Sequence, residues 1–457
     1  MSSSFNASPY IDLVDKAEII AMGGYVRRIT GLVIEGTGPR VGVGSLCKIL
    51  PLNNPESCRE AEAIGFDERG VLLMPLENYT GIVPGSRIER MHSDPLVQVG
   101  NEMLGRIFDG LGRPLDEKHL YALTHKTPLL GRPINPVSRK RITETLDLGI
   151  RSINGLLTVG KGQKIGIFSG SGVGKSVLLG MIARYTSADV NVIALIGERG
   201  REVREFIEKD LGSEGLTRSV VVVATSDMSP LARIRGALFA TAIAEFFRDQ
   251  GKSVLFMMDS LTRFAIAKRE VGLAAGEPPT TKGYTPSVFT LMPSLLERVG
   301  TSAGQGSITG IYTVLVEGDD MNDPIADAAR SILDGHIVLS RKLASKNQYP
   351  AIDLLASTSR VMPDIVSKQQ IDLTANFRTA LAVYEEAEDL INIGAYSKGS
   401  NTLIDYSIKV IDVLRSYMRQ SVGEKLDLNR SIVELHTIFK EFPITGIVEA
   451  NHAGISA

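Results

Sequence analysis

The run Ser169–Ser176, with the sequence SGSGVGKS, has the clearest chemical signature in this chain. It follows an apolar, strand-like stretch, Lys164–Phe168, and precedes a helix-like one, Val177–Arg184. Glycines in such a turn let backbone N–H groups converge on phosphate oxygens, and the start of the helix adds positive charge. The lysine can reach the β- and γ-phosphates, and the final hydroxyl can bind Mg²⁺. The pattern therefore predicts a site for a nucleoside triphosphate.

The residues of this loop that are expected to contact the nucleotide are Gly170, Ser171, Gly172, Val173, Gly174, Lys175, Ser176 and Val177. The common pattern G-x-x-x-x-G-K-[ST] has glycine at its first position, whereas this chain has Ser169. A glycine-rich turn with a lysine can arise by chance, but the strand before it and the helix after it favour phosphate binding.

Hydrolysis also needs a second acid for Mg²⁺, a group that orients water, and positive charge on the transferred phosphoryl group. The apolar run Ser253–Met258 ends at Asp259. A carboxylate at the carboxyl edge of a parallel sheet faces the phosphate loop, so Asp259 and Ser176 are predicted to hold the metal. An aspartate that caps the following helix gives the same pattern, and the two roles are compatible.

A second strand-like run, Asn191–Ile196, leads into GERGRE at Gly197–Glu202. This places Glu198 and Arg199 at the same predicted sheet edge, where Glu198 could orient the attacking water. A glutamate followed by basic residues at a helix start also makes a favourable dipole and ion-pair arrangement. The residues alone leave both interpretations open.

The first region of the chain, up to about Pro95, has short β-prone runs separated by Gly, Pro and Asn. This favours a small β-barrel or sandwich. The runs include Thr30–Glu35, Gly70–Met74 and Gly81–Ser86.

From about Leu146, apolar strands alternate with amphipathic helices, which predicts a mostly parallel sheet flanked by helices. The expected strands include Val190–Ile196, Ser219–Thr225, Ser253–Met258, Ser307–Val316 and Gly335–Ser340. After about Asp364 helical spacing dominates, as at Thr379–Ala387 and Ile408–Met418. We therefore expect domains at residues 1–97, 98–365 and 366–457.

The composition of the chain bears on what it binds. The 457 residues carry a formal net charge of −2, which weakens any interpretation in which nucleic acid is the main partner.

The cysteines and the apolar runs bear on the compartment of the protein. Cys47 and Cys58 match no metal or redox spacing, and we expect both to be buried apolar filler in a reducing compartment. No leader pattern or run of about 18 apolar residues is present, so we expect a soluble, cytoplasmic protein.

These motifs together resemble the rotary and secretion ATPase superfamily, and most closely its flagellar type III protein-export ATPases. The resemblance covers nearly the whole chain. The segments that carry it are Gly105–Asp116, Ser171–Met181, Gly197–Glu202, Asp259–Arg263, Glu317–Asp320, Asp323–Asp327 and Gly335–Arg341. It implies an α/β fold with a RecA-like phosphate-loop core, an N-terminal β-barrel and a C-terminal helical domain.

The resemblance also implies roles for individual residues, with ATP and Mg²⁺ as substrate and cofactor. Lys175 and Ser176 would contact phosphates and Mg²⁺, Glu198 would activate water, Asp259 would support the metal, and Arg199 and Arg263 would organise the γ-phosphate.

Two further residues have roles that only the resemblance implies. Arg360 falls where the family places an arginine finger that reaches the nucleotide of a neighbouring subunit, although a surface ion pair would look the same in sequence. Tyr349 falls in the segment that stacks on adenine, although a Tyr before Pro is commonly a packing residue. A finger acting between subunits implies a ring, which we expect to be a homohexamer.

The resemblance further implies binding partners. Residues 272–279 would face the pore of the ring and engage a central-stalk protein, or form an inert surface turn. Residues 10–17 would bind a peripheral-stalk regulatory protein, or pack on the barrel. The other expected partners are an export gate and substrate–chaperone complexes, with the membrane reached only by peripheral docking.

Several rival functions remain open. An ATPase of the virulence-type injectisome and the catalytic subunit of an ATP synthase would share the catalytic residues. The run Gly394–Ser400 resembles the flagellar version, because injectisome relatives tend to carry Glu after the first Gly. An RNA-translocating hexamer is disfavoured, because the chain has no Trp for base stacking and its first domain is not visibly basic. A ring subunit that binds nucleotide without hydrolysing it is disfavoured by the presence of Glu198.

Overall fold

The computed structural model describes residues 23–443, except 55, 69, 78, 92–95, 117, 120–122, 132, 317–319 and 321. These residues group into two compact units. The first contains the described residues before Leu96, together with 229–231 and 271–277. The second contains the remaining described residues. Neither unit has a helix long and apolar enough to cross a membrane, as far as the chain is described.

The first unit is built on a closed barrel of antiparallel strands in the order β1-β2-β5-β4-β3-β6. The strands are β1 (Gly23–Thr30), β2 (Val33–Gly36), β3 (Leu46–Leu50), β4 (Arg59–Asp67), β5 (Gly70–Pro75) and β6 (Arg87–Arg90). Alternate residues point inward, as the period of a strand requires, so that Cys47 and Ile49 of β3 are both fully buried. The predicted barrel is confirmed.

Three details of the barrel differ from the sequence prediction. The run predicted at residues 30–35 is a hairpin, because a turn at Gly31 and Leu32 separates two strands. The run predicted at 81–86 forms turns, with φ of 92° at Gly81 and 88° at Gly85, angles that no strand uses. Cys58 is exposed, so only Cys47 is the buried filler that we expected, and burial raises the pKa of its thiol to about 11.

The second unit is organised around a nine-stranded sheet with the order β19-β18-β12-β17-β15-β13-β14-β8, to which β16 adds on β17. Strands β18 to β8 in this order are parallel neighbours, whereas β19 and β16 are antiparallel to theirs. Two small sheets pair β7 with β9 and β10 with β11. The bounds are β7 (Leu96–Val99), β8 (Arg106–Asp109), β9 (His125–Pro128), β10 (Thr145–Leu146), β11 (Val159–Gly160), β12 (Lys164–Ser169), β13 (Val190–Ile196), β14 (Ser219–Ala224), β15 (Ser253–Asp259), β16 (Gly300–Thr301), β17 (Ser307–Leu315), β18 (Gly335–Leu339) and β19 (Ile352–Ser359).

Helices connect these strands and continue beyond them. They are α1 (Arg151–Leu156), α2 (Lys175–Tyr185), α3 (Gly200–Glu205), α4 (Gly212–Thr217), α5 (Pro230–Asp249), α6 (Leu261–Ala274), α7 (Pro286–Leu296), α8 (Pro324–Ile332), α9 (Arg341–Ser345), α10 (Met362–Ile365), α11 (Lys368–Asn392), α12 (Thr402–Met418) and α13 (Leu428–Glu441). A π-helical turn, Phe206–Leu211, joins α3 to α4, and single 3₁₀ turns lie at Asn101–Met103, Pro136–Ser138 and Thr281–Gly283. The predicted alternation of strands and helices is confirmed.

The sheet and the last three helices share one hydrophobic core. It joins Ile167 and Ile337 of the sheet to Phe377, Leu414 and Phe439 of α11, α12 and α13. Each of these helices begins at a residue whose side chain accepts a hydrogen bond from the first turn, which satisfies backbone donors that would otherwise be unpaired. The core therefore fixes the central strands, whose carboxyl ends meet at one edge of the sheet.

Candidate nucleotide-binding site

The predicted phosphate-binding loop connects β12 to α2 at this carboxyl edge. Ser169 is the last residue of β12, in extended backbone, and it is 2% exposed. The first position of the loop therefore does not need the conformations that only glycine adopts, which explains why a serine is accommodated there. Val173 packs into the hydrophobic core, so its side chain supports the loop from below.

Gly174 precedes the first turn of α2 with φ of 85°, a left-handed conformation that favours glycine. A Cβ atom at this position would lie 3.4 Å from Cδ1 and Cε1 of Tyr349. The ring of Tyr349 thus lies beside the loop, and the residue is 42% exposed. An aromatic face next to a phosphate loop can stack on a nucleotide base.

Three charged side chains converge behind the loop. The Lys175 ammonium donates a hydrogen bond to Oδ1 of Asp259, and its Nζ lies 3.7 Å from Oε1 of Glu198. All three side chains are largely buried, with exposed fractions of 12% for Lys175, 14% for Glu198 and 6% for Asp259. The strand ends that sequence analysis singled out are therefore brought together.

Burial and neighbouring charges shift the ionisation of this group. Burial disfavours the Lys175 ammonium, but the carboxylates of Asp259 and Glu198 outweigh it and raise the lysine pKa. Burial raises the pKa of Glu198 to about 7, and the negative charge of Asp259 adds to the increase. Oε1 of Glu198 is buried and accepts no hydrogen bond from the described residues. This oxygen is thus available to a ligand or a water molecule.

Sequence analysis missed two residues that contact the charged group. The Thr313 hydroxyl, fully buried on β17, donates a hydrogen bond of 2.7 Å to Oδ1 of Asp259. The negative charge of Glu202 also raises the pKa of Glu198. Glu202 lies in the GERGRE run that sequence analysis quoted, whereas a threonine within a buried strand carries no sequence signal of function.

The loop and the charged group line one cavity of about 470 Å³. Its walls include the predicted residues Gly170, Ser171, Gly172, Gly174, Lys175, Ser176, Val177, Glu198, Arg199 and Arg263. Lys209 and Asp210 of the π-helical turn also line it, and they too were missed. The cavity therefore presents backbone donors, two lysines, two arginines and carboxylates around one space, which is a suitable environment for a triphosphate with its cation.

The two arginines differ in their setting. Arg199 is 78% exposed at the mouth of the cavity, with Nη1 3.3 Å from Oε1 of Glu202. Arg263 lies on α6 against Gly197, where a Cβ atom would approach Cβ of Arg263 to 2.7 Å. Glycine at position 197 therefore permits the guanidinium stem to pass close to the backbone that carries Glu198.

Arg360 lies away from the loop of its own chain. It directly follows β19, whose last residue, Ser359, pairs with Gly335 at the start of β18. The start of β18 is level with the start of β12, near Lys164, whereas the loop follows the other end of β12 at Ser169. At about 3.3 Å per residue, the length of β12 separates Arg360 from the loop by roughly 16 Å.

Residues 10–17 lie wholly outside the described residues, and of the Glu317–Asp320 run only Asp320 is described. In residues 272–279, helix α6 continues to Ala274 before the chain turns.

A phosphate loop on a central parallel strand, with an acidic residue at the end of β15, defines a RecA-like nucleotide-binding protein. Comparison with protein families agrees with this class. Residues 149–359 match the nucleotide-binding domain of the ATP synthase alpha/beta family, and residues 366–437 match the C-terminal domain of the type III secretion ATPase EscN.

Individual relatives extend the match to most of the chain. The flagellum-specific ATP synthase of Bacillus subtilis is 53% identical over 94% of this chain and 98% of its own length. The flagellum-specific ATP synthase of Salmonella typhimurium is 50% identical over 91% of this chain and 93% of its own length. The type 3 secretion system ATPase of Xanthomonas euvesicatoria is 47% identical, also over 91% of this chain and 93% of its own length.

Among solved structures, the assembled ATPase EscN from the enteropathogenic E. coli type III secretion system superposes with a TM-score of 0.86 at 45% identity. The alignment covers 91% of this chain and 99% of that one. EscN in complex with its central stalk EscO gives a TM-score of 0.84. The chain therefore belongs to the ATP synthase alpha/beta family, among the flagellum-specific and type III secretion ATPases, which confirms the resemblance and the fold class.

Proposed function

We propose that this chain is a Mg²⁺-dependent ATP hydrolase that energises protein export by a flagellar type III apparatus. The observation that carries the proposal is the convergence of Lys175, Glu198 and Asp259 in the cavity that the phosphate loop lines. The identity to flagellum-specific relatives over most of the chain supports the flagellar assignment.

The residues of the cavity suit the steps of hydrolysis. The loop amides and Lys175 bind the phosphate oxygens, and Arg263 and Arg199 add positive charge where the γ-phosphate would lie. The buried Oε1 of Glu198 accepts no hydrogen bond from the described residues, so it could accept one from the attacking water and orient it. For that role Glu198 must be ionised, and a bound cation together with Lys175 favours this state.

The site also suits Mg²⁺. The described residues contain no cluster of three or more His, Cys, Asp or Glu side chains that could cage a metal ion. Mg²⁺ commonly binds through one or two protein oxygens, phosphates and water, and Ser176 and Asp259 offer such oxygens beside the loop. When bound, the ion would neutralise charge on the phosphates.

We further propose that Arg360 acts as an arginine finger in the site of a neighbouring copy, in a homohexamer. The distance of roughly 16 Å from its own loop, one strand length, supports this assignment, because a guanidinium cannot span it. The structural relative EscN is described as assembled, which supports a ring. A planar guanidinium supplied in this way raises hydrolysis rates by about 10³ to 10⁵.

The remaining partners follow from the same family. EscN is described in complex with a central stalk, which supports a central-stalk partner for this chain at residues 272–279. We also propose a peripheral-stalk regulatory protein at residues 10–17, the export gate and substrate–chaperone complexes as partners. The protein would act in the cytoplasm, docked peripherally at the inner membrane.

The decisive experiment measures ATP turnover per subunit over a wide range of protein concentration, with and without single-stranded RNA. We expect turnover to rise steeply with concentration and to ignore RNA. The variant Glu198→Gln should keep nucleotide binding and lose turnover. Arg360→Ala should bind nucleotide normally while assembled rings hydrolyse poorly. Turnover that survives in Glu198→Gln, or RNA-stimulated turnover, would contradict the proposal.

A second candidate is the injectisome ATPase, because the C-terminal domain matches that of EscN. The two candidates are separated by complementation. Restored motility in a bacterium that lacks its flagellar export ATPase supports the flagellar function, whereas restored virulence-type secretion alone supports the injectisome. A role as an ATP synthase catalytic subunit is a third possibility, and it predicts neither result.

A further inference from the structure

A second cavity, of about 460 Å³, lies beside the first residues of the phosphate loop. Its walls include Gly170, Ser171, Arg263 and Leu315, all of which also line the nucleotide cavity. The two spaces are therefore neighbours, separated by the first part of the loop and the side chain of Arg263. The proposed function uses only the first of them.

The second cavity is strongly cationic. Among the described residues, four basic side chains line it, Arg263, Arg269, Lys282 and Arg341, and one acidic side chain does, Asp323. A cleft lined by charges of one sign attracts and holds ions of the opposite sign.

The ion pairs in this cavity involve its lysine and leave its three arginines available to bind an anion. Nζ of Lys282 lies 3.3 Å from Oδ2 of Asp320 and 3.6 Å from Oδ2 of Asp323, so these acids compensate the lysine. Arg269 stacks on the ring of Tyr284 with its guanidinium carbon 5.2 Å from the ring centre, and a stacked guanidinium can still donate from its N–H groups, which form no ion pair with the described residues.

Neither of the other two arginines forms an ion pair with an acid of the described residues. Nε of Arg263 is buried and has no hydrogen-bond partner among the described residues. Arg341, exposed at the start of α9, pairs with no acid in the described part of the chain. A buried donor without a partner is costly unless a ligand or water satisfies it.

We propose that this cavity is a binding site for inorganic phosphate after hydrolysis has produced it in the neighbouring nucleotide cavity. The inference rests on the proposed ATP hydrolysis. A tetrahedral phosphate dianion accepts several charge-assisted hydrogen bonds, and guanidinium groups match its geometry. Arg263, which lines both cavities, would hand the anion from one to the other, and Arg269 and Arg341 would hold it.

The test uses the full chain saturated with Mg²⁺ and a non-hydrolysable ATP analogue, so that the triphosphate positions at the loop are filled. Binding of radiolabelled inorganic phosphate is then measured by equilibrium dialysis. We expect saturable binding to one further site per chain. Arg269→Gln and Arg341→Gln should each weaken this binding about tenfold or more, because each removes a charge-assisted hydrogen bond. The matched control Lys440→Gln removes one positive charge on α13, away from the cavity, and should leave it unchanged.

Analogue affinity is measured first for every variant, which separates loss of folding from loss of the phosphate site. In the wild-type chain, sulfate should compete with phosphate, a result that depends on no substitution. Absence of saturable phosphate binding in the loaded wild-type chain, or equal affinity in all variants, would overturn the inference. ATP turnover by the same preparation distinguishes the two claims. Turnover without phosphate binding contradicts this inference alone, whereas absence of both turnover and analogue binding contradicts the proposed function as well.

Discussion

Replacement of Glu198 by glutamine should stabilise the protein while it abolishes turnover. Burial and the charge of Asp259 raise the pKa of Glu198 from 4.5 to about 7, so the folded protein holds this carboxylate ionised at a cost. One pKa unit corresponds to about 1.4 kcal/mol, so the full difference corresponds to about 3 kcal/mol. Glutamine has nearly the same shape and no charge, so it removes this cost.

The sign of the pH dependence follows from the two pKa values. Because the folded-state pKa of Glu198 lies above the usual 4.5, wild type loses stability relative to the variant as pH rises from 4.5 to about 7, and the difference then levels off. Below pH 4.5 the glutamate of the wild type is neutral, as the glutamine of the variant always is, so the difference in stability vanishes. We therefore expect Glu198→Gln to exceed wild type by about 2 to 3 kcal/mol at about pH 8.5, and by about half of that or less at about pH 5.5.

Urea unfolding of nucleotide-free protein in EDTA, followed at both pH values, measures this difference. The control is Glu208→Gln, which neutralises a carboxylate whose side chain is 61% exposed and should change stability by less than about 0.5 kcal/mol. If Glu198→Gln is no more stable than wild type at the higher pH, or if its advantage is the same at both, then burial and Asp259 do not set the ionisation of Glu198. The proposal that Oε1 of Glu198 orients the attacking water would then lose its electrostatic basis.

Three further substitutions test how the site is held. Thr313→Val removes the buried hydroxyl that donates to Asp259 and should cost about 1 to 3 kcal/mol in urea unfolding, whereas Thr313→Ser should cost less. Gly197→Ala places a Cβ atom 2.7 Å from Cβ of Arg263 at a φ of 74°, so it should destabilise by about 1 to 3 kcal/mol and lower turnover; wild-type stability would refute the close approach. Tyr349→Ala should weaken ATP binding about fivefold in equilibrium titrations, with Tyr349→Phe near wild type, because stacking of the ring contributes about 1 kcal/mol.

The phosphate loop and Asp259 could be predicted from sequence because their signals are local. The strand before the loop, the glycine pattern and the helix after it stand within one short stretch of chain, and Asp259 ends an apolar run that is buried on both faces of the sheet. In a parallel sheet, the ends of separate strands meet at one edge whatever the loops between them do. The meeting of Lys175, Glu198 and Asp259 therefore follows from strand assignment alone.

Residues that act through tertiary contacts gave no such signal. Thr313 lies in a buried strand, and only the register of β17 beside β15 aligns it with Asp259. The strand wrongly predicted at 81–86 has suitable residues, but its two glycines adopt turn angles that pattern does not reveal. The exposure of Cys58 likewise depends on the turn that precedes β4, since composition alone favours burial of a free cysteine.

The position of Arg360 connects the fold to the proposed assembly. Strand β19 runs antiparallel to the rest of its side of the sheet, so its end carries Arg360 to the edge opposite the loop. A parallel β19 would instead have ended at the nucleotide edge, within reach of the loop in the same chain. The reversal of β19 thus separates the guanidinium from the site in its own subunit, so the proposed role of Arg360 in hydrolysis requires a second copy. We therefore expect turnover per subunit to depend on protein concentration in the wild-type chain. In Arg360→Ala, we expect this dependence and the activity of the assembled ring to be lost together.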